Sequence, residues 1–225
     1  MSLFANHQEE AMTPEELVQK LHWLGHDSFR LDGPPVVYFD PWKLRGKPPV
    51  ADLVLVSHEH FDHCSPEDVA KVIGPNTVVL AGGGAAGQLR GARAVRPGDR
   101  ITVAGVEVET VPAYNLDKFR APGQPFHPKD AGHVGYVVTL EGVRLYFAGD
   151  TDAIPEMAQI ACDVALLPVS GTYVMTVEEA VEAARTLKPA IVVPMHYGAG
   201  IGTPRDGERF AALYPGRTVV LRAEG

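Results

Sequence analysis

Ser57-His58-Glu59-His60-Phe61-Asp62-His63 places three imidazoles and the Asp62 carboxylate within six positions, at the end of a mainly aliphatic run over 52–57. Such a run reads as a strand covered on both faces, so the cluster starts where a buried strand ends. In an extended segment residues two apart point the same way. His58 and His60 can therefore share one ion, while the turn that follows aims Asp62 and His63 at a second point a few ångström away. The spacing suggests two metals. Neutral imidazole and carboxylate suit zinc, with iron or manganese as alternatives. Cys64 adjoins the cluster and reads as packed beneath the next helix rather than as a ligand.

The rest of the chain is acidic and poor in cysteine. Its 225 residues, 45% of them apolar, supply one continuous core, so a single domain over 1–225 is expected. A net charge of −8, with both signs mixed along the chain, argues against a broad basic surface for nucleic acid or anionic membrane. An anionic substrate would have to be held locally. Cys64 and Cys162 cannot build a disulfide framework, and residues 1–16 lack the basic-then-apolar secretory pattern. No apolar run approaches the roughly 20 residues of a membrane span. A cytoplasmic protein is the expectation, with 1–12 as a disordered or vector-derived leader and Met12 as an alternative start.

Thr13-Pro14-Glu15-Glu16 offers a cap, a proline at the first helical position and a glutamate three places after the cap, which predicts a short helix. Residues 21–24, 28–31 and 36–40 are short apolar or alternating runs parted by turn residues, a meander of strands. After the histidines, Ser65-Pro66-Glu67-Asp68 opens a helix to about residue 73. Residues 77–81 read as a strand and 85–90 as a helix of small residues. Segments 101–104 and 106–111 form one hairpin, 134–140 and 143–148 another. Between them, 113–133 has no periodicity and reads as a lid. Buried strands at 164–168 and 190–194 flank a helix that Thr176 and Glu179 cap reciprocally. A helix near 207–214 and a strand at 218–221 follow. Two sheets with helices outside satisfy this order. Asp40, His58, Asp150 and His196 all sit just beyond aliphatic strands, where such sheets build sites.

Tyr38-Phe39-Asp40-Pro41, His58 to His63 as His-x-His-x-Asp-His, Ala148-Gly149-Asp150-Thr151 and Pro194-Met195-His196-Tyr197 follow one another in an order that resembles the metallo-β-lactamase-fold hydrolases. The match runs over about 21–196. Trp23-Leu24-Gly25-His26 and the contexts of Asp150 and His196 resemble the branch of ascorbate-6-phosphate lactonase, N-acyl-phosphatidylethanolamine phospholipase D and many metal-dependent hydrolases. The resemblance implies an α/β (α+β) fold, a four-layer αββα sandwich, and two divalent cations. By it His58 and His60 bind the first ion, Asp62, His63 and His196 the second, and Asp150 bridges both. Asp40 braces the histidine loop from below.

One position departs from the family. Where Pro-Ala-x-His is usual, this chain reads Pro112-Ala113-Tyr114-Asn115, and an amide is a weak zinc ligand. The first ion is then held by two histidines and water, or His127 or His133 completes it. His127, in Pro125-Phe126-His127-Pro128, is favoured because its loop can fold over the site. Asn115 and His26 are expected behind the ligands rather than on the ions. Gly82-Gly83-Gly84-Ala85-Ala86-Gly87 fits the dinucleotide fingerprint by letter, but no βαβ unit with an acidic residue at its next strand end follows, so a tight turn is the better reading.

Two cations sharing an oxygen bring the pKa of bound water toward neutrality and polarise a substrate oxygen. The leading expectation is hydrolysis of a small ester, lactone or phosphoester by a hydroxide held at a dinuclear, zinc-type centre. Asp62 would orient or deprotonate the water, and Lys118, Arg120 and Lys129 would contact an anionic substrate. A nuclease or phosphodiesterase of the same fold would need a basic track that this composition does not supply. A scaffold binding a single ion, without catalysis, is the third reading. Self-association is left open.

Overall fold

The computed structural model describes residues 12–198 and 200–224, so most of the expected leader lies outside the described residues. Helix α1 (Pro14–Gln19) opens with the expected reciprocal cap between Thr13 and Glu16. The first sheet then follows chain order: β1 (Leu21–Gly25), β2 (Ser28–Leu31), β3 (Val37–Phe39), β4 (Leu53–Val56), β5 (Val78–Ala81) and β6 (Arg93–Ala94). Its first three strands are antiparallel neighbours, whereas β3 to β6 run parallel.

Strand β4 shows how the sequence makes layers. Leu53 and Leu55 face the core between the sheets, while Val54 and Val56 face a second core with Val69 and Val72 of α2 (Pro66–Val72). Alternation on a strand buried on both sides requires apolar residues at every position, and each fully buried one contributes about 1.5–3 kcal/mol.

Strands β7 (Arg100–Val103) and β8 (Val106–Pro112) form a hairpin, and β9 (Phe119–Ala121) and β10 (Gln124–Pro125) a ribbon of their own. With β11 (Val134–Leu140), β12 (Val143–Phe147), β13 (Val164–Pro168) and β14 (Ile191–Met195), the second sheet has the order β14-β13-β12-β11-β8-β7. Helices α3 (Val177–Leu187) and α4 (Asp206–Leu213) pack on its β13–β14 side, giving the αββα sandwich. The Tyr136 hydroxyl on β11 donates to the Val56 carbonyl on β4 at 2.8 Å and ties the two sheets together just below the histidines.

Three local expectations change. The helix expected at 85–90 is a single 3₁₀ turn, Ala85–Gly87, because Gly87 and Gly91 leave too few helix-favouring residues in succession. Segment 113–133, expected to lack secondary structure, contains the β9–β10 ribbon and a 3₁₀ turn at Lys129–Ala131. The last strand is reduced to a bridge between Thr218 and Val192. What the topology fixes for function is the edge: β3 is parallel to β4, and β12, β13 and β14 are parallel to one another, so their carboxyl ends deliver Asp40, Ser57, Asp150, Ser170 and His196 to one place.

Candidate metal centre

His58 leaves β4 with its ring fixed from behind. Asp40 accepts the Ser57 backbone N–H at 2.7 Å and the Ser57 hydroxyl at 2.5 Å. Having given its only proton to Asp40, Ser57 Oγ accepts from His58 Nδ1 at 2.9 Å, which leaves His58 Nε2 as a lone pair. That nitrogen lies 3.0 Å from His60 Nδ1, which in turn lies 3.2 Å from His127 Nε2. His127 is oriented in the same way, because its Nδ1 meets Asn115 Oδ1 at 2.9 Å. The three nitrogens converge on one point, where a cation could replace the proton that otherwise links them. Tetrahedral ligands at about 2.0–2.1 Å from zinc stand about 3.3 Å apart, so the three nitrogens fit such an ion.

A second donor group lies beside the first. His63 donates from Nδ1 to Asp40 Oδ2 at 2.7 Å, and His196 Nδ1 meets Ser170 Oγ at 2.9 Å. Ser170 gives its own proton to the Thr172 carbonyl. Both free Nε2 atoms are 3.4 Å from Asp150 Oδ1, while Asp150 Oδ2 is 3.2 Å from His127 Nε2. Asp150 thus turns one oxygen toward each group. Among the described residues His63 Nε2 and Asp150 Oδ1 are buried without a hydrogen-bond partner, which suits atoms meant for a cation. The field is strong. Burial opposes charge on Asp150, yet His196, His63 and His127 hold its carboxyl well below the usual range. Burial likewise disfavours a charged His63, but Asp150 and Asp40 push it well above the usual imidazole value. At His58 burial prevails and keeps the ring neutral.

Sequence reasoning missed Asp27. Its carboxyl is fully buried, has no hydrogen-bond partner among the described residues, and offers an oxygen within 4.8 Å of donor atoms on His63, Asp150 and His196. Burial, and then the Asp150 carboxylate, push it well above the usual carboxylate range. The signal was present in the alternation: Phe29 and Leu31 of β2 face the core, and Asp27 shares their parity.

The backbone is strained at the same place. His26, Asp40 and His196 adopt left-handed φ values of 53°, 40° and 58°, a conformation that costs non-glycine residues about 1–3 kcal/mol each and clusters at functional sites. The Trp23 indole and the His196 N–H both donate to the His26 carbonyl, at 2.8 and 3.2 Å, and hold that turn.

A family model described as the beta-lactamase superfamily domain matches residues 20–196. The chain belongs to that superfamily. Within it the chain belongs to the UPF0173 metal-dependent hydrolases, being 37% identical to the one from Methanoculleus marisnigri (91% of this chain, 98% of the relative) and 35% identical to that of Thermoplasma acidophilum (86% and 90%). A Parabacteroides distasonis protein of known crystal structure is 32% identical and superimposes with a TM-score of 0.80, over 90% of this chain and 93% of the other.

The remaining residues singled out in the sequence of this superfamily member lie around the two donor groups. Asp62 lies outside every compact donor group, with Oδ2 3.2 Å from His26 Nε2 and 18% of its side chain exposed. Burial raises its pKa, but His26 and His63 outweigh that and bring it to about 2, while burial lowers His26 to about 4. Asn115 is spent on His127, Asp152 and the Tyr173 carbonyl. His133 faces Glu59 at 3.3 Å.

The three loop cations are engaged too. Lys118 binds Glu179 at 2.9 Å, Lys129 binds Glu156 at 2.7 Å, and Arg120 donates to the Phe126 carbonyl. Unpaired cations lie on the β3–β4 loop instead. Lys43, Arg45 and Lys47 have no acidic partner within 4.0 Å among the described residues, and with Arg30 and Trp42 they line a cavity of about 520 Å³ that reaches His26. Lys43 Nζ lies 3.8 Å above the Trp42 ring, which is edge-on to the 76% exposed Phe61 in the middle of the histidine run. The glycine run serves close packing: a Cβ on Gly82 would stand 2.6 Å from the Ser57 carbonyl oxygen. Cys64 is buried against α2, and both cysteines are free. Among the described residues no helix is long and apolar enough to cross a membrane.

Proposed function

We propose that this chain hydrolyses a small ester, lactone or phosphoester at a dinuclear centre, most readily of zinc, in the cytoplasm. His58, His60 and His127 hold the first cation, His63 and His196 hold the second with Asp62 at its rim, and Asp150 joins the two. The observation that supports this reading is the pair of Asp150 oxygens, one facing each set of inward-pointing imidazoles. When bound, two divalent cations supply a water acidic enough to react at neutral pH and a Lewis acid for the substrate oxygen.

The side chains supply the rest. Asp40, Ser57, Asn115 and Ser170 fix which nitrogen of the His58, His63, His127 and His196 rings faces inward, so these rings need little reorganisation during reaction. Asp62, part exposed and kept ionised beside His26, accepts a hydrogen bond from a water and orients it. Lys43, Arg45 and Lys47 are free to neutralise an anionic substituent, a role their paired counterparts Lys118 and Lys129 are poorly placed to fill.

The test is metal analysis of the purified protein, followed by assay on neutral esters, lactones, phosphomonoesters and phosphodiesters. About two cations per chain and turnover that disappears in His58→Ala and His196→Ala are expected. One cation without turnover would favour the scaffold reading. Turnover confined to RNA, and steeply dependent on salt, would favour a nuclease.

A further inference from the structure

Asp27 is a buried carboxyl at this centre whose two oxygens accept no hydrogen bond among the described residues. It lies in the turn between β1 and β2 and is 0% exposed. The groups around it are His26 on its own turn, Asp40 beyond β3, His63 in the histidine loop, Asp150 beyond β12 and His196 beyond β14. His63 Nδ1 is 3.9 Å from Asp27 Oδ2, but its proton is already directed to Asp40 at 2.7 Å. Asp150 is the other acid at hand and disfavours a second negative charge beside it. A buried carboxyl whose oxygens accept nothing is costly unless a ligand takes them up.

Resting on the dinuclear reading, we propose that Asp27 is a carboxylate ligand of the second cation. The donor set there becomes His63, His196, Asp150 and Asp27, two imidazoles and two carboxylates, all within 4.8 Å of one another. The first position has three imidazoles, His58, His60 and His127. Oxygen donors favour harder ions, so the two positions differ in selectivity: the first prefers zinc and the second accepts manganese or ferrous iron. Asp62, paired with His26, is then free for water or substrate.

The experiment compares wild type, Asp27→Asn and Asp27→Ser. Each is stripped with chelator, dialysed against equimolar Zn²⁺ and Mn²⁺, and measured for bound metal and for melting temperature with and without metal. Wild type should bind both ions. Asp27→Asn should keep zinc at the first position and bind Mn²⁺ at least roughly 10–100-fold more weakly, the loss that removal of an outer partner alone produces. Metal should raise the melting temperature of wild type more than that of the asparagine chain.

Asp27→Ser, smaller and unable to mimic a carboxyl, should reproduce the metal loss if the asparagine folds poorly. Wild-type metal uptake in both variants would overturn the assignment and leave the dinuclear centre standing. A wild-type chain that takes up no cation would overturn both.

Discussion

Asn115 Oδ1 accepts both the backbone N–H of His127, at 2.8 Å, and its ring Nδ1, at 2.9 Å. Asn115, at the position where the family resemblance leads one to expect a histidine, therefore aims a histidine from twelve positions further on. Asn115→Ala should weaken the first cation by roughly 10–100-fold while leaving the second in place, and Asn115→Asp, which still accepts from the ring, should restore much of that loss. Isothermal titration of the metal-stripped chain reads both. His127→Ala should be worse than Asn115→Ala.

Asp40 serves both donor groups, His63 directly and His58 through Ser57. Ser57→Ala should therefore affect the first cation alone, whereas Asp40→Ala should affect both. The latter also leaves the Ser57 and His63 donors buried and unpaired, at about 1–3 kcal/mol each. Urea unfolding of the metal-free variants separates the structural loss from the metal-binding loss.

The cation-bearing β3–β4 loop is pinned by Asp68, which accepts the backbone N–H groups of Lys43 and Leu44 at 2.8 and 3.0 Å and the Lys71 ammonium at 2.8 Å. Burial opposes ionisation of Asp68, but these donors and Ser65 together hold its carboxyl below the usual range. A carboxyl held low when folded contributes stability that is complete above its unfolded pKa of about 3.9 and fades as pH falls through the folded value. Asp68→Asn should lower the melting temperature at pH 7, and its gap from wild type should close in more acid solution. A gap that is independent of pH would refute the ionised anchor.

Replacing Arg45 and Lys47 together with alanine should raise KM about tenfold for an anionic ester and leave a neutral ester of the same acyl group unchanged, since exposed charges contribute on the order of 0.2–1 kcal/mol each. Lys118→Ala should instead lower stability, because its ammonium ties the loop after β8 to Glu179 of α3.

Much of this could be read in advance. The aliphatic run before His58 and the placement of Asp40, Asp150 and His196 after strands follow from alternation and strand ends, which are local properties. Asp27 was hidden because a charged residue in a two-strand turn looks solvated until the second sheet is known to cover it. Lys118 and Lys129 looked free because Glu179 and Glu156 are distant in sequence. The ribbon at β9–β10 carries too few apolar residues to show a period, and its Phe126 packs on Tyr173, a partner beyond any local window.

The donors come from both sheets: the histidine run from the first, and Asp150, His196 and the His127 loop from the second. Any ion seated between them is thus a rivet through the sandwich. Removing it should speed unfolding more than it slows refolding, so that the lifetime of the folded chain, and not only its catalytic competence, is set by metal supply.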